Sequence, residues 1–282
     1  PTTAMGMGLP LLAASIESGT QASGRATALL CGVNTAGAAL GVAWVGLTGG
    51  ADLAAERVSL VAAAVQIIVV ALVLSVARRT LPEDAPSAAR PQSEGVRPQR
   101  AALVGAGCAS AAAMLVQVSW TELLHQRFGT VGPGFSMTLL AFIGGLSLGG
   151  FLATRLLARD DDPQRTLVRM LALTALSLGL ATLIAGTWVP GDNASALLAA
   201  APLVPMTIAG GSLFPLFIAM SARRGTAIGR SVGSTGAAST AGAIAGSLGA
   251  MALLPLAGVG LSLFSSLALY SGLSVLFAFK TR

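Results

Sequence analysis

The chain has 282 residues, 54% of them hydrophobic and 10% charged, with a mean hydropathy of +0.78. Soluble domains carry about a quarter charged residues. The composition therefore excludes an ordinary soluble domain, a disordered tail and a nucleic-acid binder, despite an isoelectric point near 10.9. It leaves an all-α polytopic membrane protein whose first partner is the lipid bilayer.

The charges mark the ends of the apolar runs. Arg57 and Arg78 bracket 20 uncharged residues, Arg100 and Glu122 bracket 21, and Arg169 and Asp192 bracket 22. Each run is long enough for a hydrocarbon core of about 30 Å, which takes about 20 helical residues. In chain order the predicted spans are 1–16 (partial), 26–49, 58–78, 101–123, 133–157, 166–189, 195–221, 231–254 and 259–279. The last two come from 49 uncharged residues between Arg230 and Lys280, divided at Pro255, Gly258 and Gly260. Eight full spans and one partial result. Solid apolar runs favour helices over a barrel, whose strands would alternate.

Residues 1–16 lack the basic n-region of a signal peptide. They read as the cytoplasmic half of a helix that starts before Pro1, so the chain reads as N-terminally truncated. Residues 79–100 hold four prolines and mixed charge, and read as a flexible linker. Alternate connections, with the C-terminal tail, hold 15 of the 17 Lys and Arg residues; the others hold only Arg57 and Arg127. By the positive-inside rule the linker and the C-terminus are cytoplasmic, and the expected site is a bacterial cytoplasmic membrane. Cys31 and Cys108 lie inside predicted spans and read as small packing residues.

Shifting the sequence by 205 positions brings its start onto its end without a gap. Over residues 1–50 against 206–255, 14 positions are identical. Pro10 meets Pro215, Gly24-Arg25 meets Gly229-Arg230, and NTAGAALG (34–41) meets STAGAIAG (239–246). Both copies run in the same direction, so the repeat is parallel. It predicts a last part of an N-terminal half (1–78), a linker (79–100) and a C-terminal six-helix half (101–282). Two parallel six-helix halves are the major-facilitator layout.

Small residues recur at four-residue spacing: Gly37 and Gly41, Gly145 and Gly149, Gly242 and Gly246. Such pairs share a helix face and let backbones approach closely in lipid. Pro215 and its mate Pro10 predict a kink in matching helices.

AMGMGLPLL (4–12) and AGGSLFPLF (209–217), each followed by a basic loop, GR and the NTAGAALG or STAGAIAG stretch, form a recurring pattern. With SWTELLHQRFG (119–129) and LLAFIGGLSLGGFLATRLLAR (139–159), it resembles the membrane part of fused major-facilitator/spermidine-synthase-like proteins. In GFLATRLLAR, Gly150, Arg155 and Arg159 fit a facilitator's cytoplasmic loop motif, while Thr154 stands where that family has an acidic residue. Glu122 stands where it usually has a basic one. The resemblance implies a transporter-like domain, or an anchor for an aminopropyltransferase-like domain outside this fragment, in cis or trans. The chain has no glycine-rich nucleotide loop with paired carboxylates, so no aminopropyltransferase site, cofactor or metal is expected in it.

Polar residues inside spans mark function or interhelical hydrogen bonds. Asn34, its repeat mate Ser239, the adjacent Thr240, and Gln117 are the expected cavity-lining residues. Trp120, Glu122 and His125 cluster at the outer end of the fourth span. Trp120 fits an aromatic belt, and Glu122 and His125 fit solvated ends. Their i, i+3 spacing also allows a carboxylate–imidazole pair with a proton-linked role. Two functions remain open: alternating-access movement of a small amine or other small solute, and a non-transporting scaffold.

Overall fold

The computed structural model describes residues 20–47, 55–80, 99–128, 131–159, 162–187, 196–222 and 228–279. Among them every regular element is a helix: α1 (Thr20–Leu47), α2 (Ala55–Thr80), α3 (Arg100–Phe128), α4 (Val131–Arg159), α5 (Pro163–Thr187), α6 (Ala196–Ala200), α7 (Leu203–Ala222) and α8 (Ile228–Phe279). Six of these are long and apolar enough to cross a bilayer, and α2 contains a shorter apolar stretch, Ser59–Leu72. The expected partial span 1–16, with Pro10, and most of the linker lie outside the described residues.

The helix ends follow local chemistry. Asp162 precedes α5, and its carboxylate accepts the Gln164 backbone N–H at 3.1 Å. Pro163 then occupies the first turn, where no intrahelical N–H bond is lost. The expected span 195–221 is not one helix but α6 and α7. Pro202, lacking an N–H, stands at the break and restricts Ala201 before it. Pro215 lies inside α7, fully buried, and withholds one hydrogen bond there.

A 52-residue helix would be about 78 Å long at 1.5 Å per residue, over twice the hydrocarbon core. α8 is not continuous: Gly258 has φ 74° and ψ 176°, a conformation open essentially to glycine alone. Pro255 precedes it and removes a helical hydrogen bond. The two segments, 228–257 and 259–279, return past the same neighbour. Ser110 on α3 bonds Ser239 before the break, whereas Ser119 bonds Ser262 after it, each at 2.6 Å.

Contacts fix the relative directions. α3 runs parallel to the first segment of α8, with Gly107 against Gly242 and Ala111 against Gly246. It runs antiparallel to the second, where Tyr270 Oη donates to the Ala109 carbonyl at 3.1 Å and Phe277 packs beside Gly105. α4 runs parallel to α7 and antiparallel to α1. At one end of the body the Gln164 amide donates to the Phe277 carbonyl at 3.1 Å. At the other, Arg127 donates to the Ala185 carbonyl at 2.6 Å. Each supplies a partner to a carbonyl near a helix C-terminus that has no intrahelical donor. The directions place Arg25, Arg100, Arg155, Arg159, Arg165, Arg169 and Arg230 at one end and Arg127 at the opposite end.

The core lies among α3, α4, α5, α7 and the end of α8, around Trp120, Phe142, Phe217, Tyr270 and Phe277. The Phe217 and Phe277 rings meet edge to face at 5.8 Å. The outward surface is apolar: Ile67, Leu176 and Leu256 are largely exposed. Lipid provides the environment in which such a surface is stable. α2 makes at most isolated contacts with the other described helices, and its apolar residues Ile67 and Leu72 are exposed.

Candidate functional site

Three close helix crossings frame the site. A Cβ on Gly242 would overlap the Gly107 carbonyl of α3, and one on Gly246 would overlap Ala111. A Cβ on Gly149 would overlap the α7 backbone at Ile208 and Gly211, and one on Gly145 would overlap Thr207. A Cβ on Gly150 would lie 2.8 Å from the Cα of Gly32 on α1. The Ser147 hydroxyl also donates to the Gly32 carbonyl at 3.0 Å. Without side chains at these points the backbones approach closely enough for dispersion to hold helices together in lipid.

A cavity of about 370 Å³ lies among α1, α3, α4, α7 and both segments of α8. Its wall is mostly apolar, with Phe142, Phe214, Phe217 and the Tyr270 ring among its residues. Most of its hydroxyls are committed. Ser110 and Ser239 bond each other. The Thr35 hydroxyl donates to the Cys31 carbonyl at 2.7 Å. Thr207 has the carbonyls of Ala141, Leu203 and Val204 within reach. Three groups stay uncommitted among the described residues: the Gln117 side-chain amide, the Thr240 hydroxyl and the weakly polar Cys31 thiol.

The sequence-derived residues fall in different places. Gln117, Ser239 and Thr240 line the cavity. Asn34 does not: it is exposed on α1, and its neighbour Thr35 lines the cavity instead. One residue is a rotation of about 100° on a helix, enough to change faces. Cys31, one turn before Thr35 and by sequence a packing residue, lines the cavity as well. The glycine motif alone does not give the helical phase that distinguishes Asn34 from Thr35; the 205-residue register does pair Thr35 with Thr240.

Trp120 is not an interfacial belt residue. It is 1% exposed within the core, and its indole N–H has no partner among the described residues. Glu122 does not pair with His125. Its carboxylate accepts from the Gln126 amide at 2.9 Å, one residue further round the helix, while His125 is exposed. Arg155 and Arg159 are exposed at the end of α4, and Thr154 donates to its own helix at the Gly150 carbonyl. Gly145, Gly149, Gly242 and Gly246 sit in crossings. Gly37 and Gly41 do not: both are exposed, with nothing among the described residues within 4 Å of a Cβ at either position. No described helix lies on that face.

Among the described residues no three His, Cys, Asp or Glu side chains gather as a metal site requires. Both cysteines are free thiols. No family model matches the chain, and no curated protein matches it either. The functional reading therefore rests on the cavity and the repeat.

Proposed function

We propose that this chain is a transporter-like membrane domain that moves a small solute by alternating access. The observation that carries the reading is the place of the cavity between the two repeats. Thr35 and Thr240 are mates under the 205-residue shift, and both line it. In parallel-repeat transporters the solute site lies where the repeats meet, and rocking of one against the other exposes it to each side in turn.

Eight crossings follow if α2 is a span and the two segments of α8 are separate ones. The alternating helix directions support that arrangement. With the repeat, they favour the six-plus-six layout and the likeness to the membrane part of spermidine-synthase-like proteins. The basic ends would then face the cytoplasm of a bacterium. On this reading aminopropyl transfer, where it occurs, belongs to a separate domain.

Reconstitution into vesicles tests the proposal. Saturable counterflow of a small solute is expected. Its absence for amines, amides and amino acids alike would overturn transport and favour the non-transporting anchor.

A further inference from the structure

We infer that the solute of this cavity is uncharged: a small, largely apolar molecule oriented through one carboxamide-like or hydroxyl-like group by Gln117. The inference rests on reading the cavity as the solute site and names the class of molecule that fits it.

No described residue lining the cavity is Asp, Glu, Lys, Arg or His. The nearest charges on the lining helices lie away from it. Glu122 follows Gln117 by five residues, about 7.5 Å along α3 and well round its circumference. Its carboxylate is engaged by Gln126. Arg155 is exposed five residues beyond Gly150, Arg25 and Arg100 are exposed six residues before Cys31 and Ala106, and Arg230 is exposed nine residues before Ser239. Among the described residues, a cation entering this cavity would lose hydration and gain no carboxylate, and an anion would gain no basic partner. Either is costly in an apolar, membrane-embedded space.

The polar capacity left over is small and specific. A primary amide offers two N–H donors and a carbonyl acceptor. That set pairs with a carboxamide, a urea or an alcohol. Thr240 adds one hydroxyl from the opposite repeat to the one bearing Thr35. The aromatic wall takes a flat or branched apolar body, and Met114 and Met206 adapt to its outline. The volume is near the small end of ligand pockets, which run from about 300 to 1,000 Å³.

Three probes of one size and different charge test this: benzamide, benzylammonium and benzoate. Their equilibrium binding is measured on the full chain in lipid nanodiscs. The wild-type protein is expected to bind benzamide saturably and the two ions more weakly. Gln117→Leu should weaken benzamide by roughly five- to tenfold, the worth of a neutral hydrogen bond. Gln117→Glu, nearly isosteric, should turn the preference toward benzylammonium. Wild-type binding of either ion as tight as benzamide, or saturable binding of none, overturns the inference. The wild-type order needs no substitution, so the outcome does not depend on a variant folding. Ordered binding without flux would remove transport and leave the ligand class standing. Flux with an ion bound best would do the reverse.

Discussion

Thr35 on α1 and Thr240 on α8 stand at matched positions of a 205-residue repeat and line one cavity. The relationship is more specific than the repeat itself, because repeated segments need not meet at a shared space. It gives a first prediction. Thr35→Trp and Thr240→Trp, each placing a large ring in the cavity, should both abolish saturable uptake. Asn34→Trp, one residue away on an exposed face, should leave it near the wild-type rate. Equal loss in all three would show that added bulk on these helices, not obstruction of the cavity, is responsible.

Gly242 touches the α3 backbone, whereas Gly37, its mate, faces nothing among the described residues. Overpacking typically costs about 1–3 kcal/mol, and changes on open surface stay within about 0.5 kcal/mol. Gly242→Val should therefore lower stability clearly, and Gly37→Val hardly at all. Thermal or denaturant unfolding in detergent reads the difference.

Gly258 breaks α8 in a conformation that L-residues rarely adopt. Gly258→Ala should destabilise by about 1–3 kcal/mol. Gly260→Ala, in helical backbone with nothing near a Cβ, should be neutral or slightly stabilising. The opposite order would mean that 228–279 runs as one helix.

The Gln126 amide, not His125, holds the Glu122 carboxylate. His125→Asn should therefore leave the pH profile of uptake unchanged. A flattened profile would restore a proton-linked role to His125.

The architecture is readable from charge because lipid penalises it. Arg100, Arg127 and Arg169 lie near the ends of the uncharged runs, and, the divided run 195–221 apart, the described helices begin and end within six residues of the expected limits. Pro255 and Gly258 mark the break in α8 because one lacks a donor and the other tolerates positive φ. Pro202 acts similarly between α6 and α7, yet its run reads as continuous because hydropathy does not register a missing N–H.

Side-chain placement is less legible. Asn34 and Thr35 are both polar, and only helix phase decides which meets the cavity. Trp120 carries the same indole in a core as in a membrane interface. Its position near a charged helix end suggests the interface, but packing among α3, α5 and the α6–α7 region buries it. Gln117 and Thr240 are legible because an uncommitted polar group inside an apolar helix has few uses.

Side-specific access to Thr240 tests alternating access most directly. In a Cys31→Ser, Cys108→Ala background, Thr240→Cys is treated in sealed vesicles with an impermeant maleimide from one side, then from the other. Labelling from both sides is expected, with bound solute changing the two rates in opposite directions. Labelling from a single side, unchanged by solute, would contradict a cavity that opens to each face of the membrane in turn.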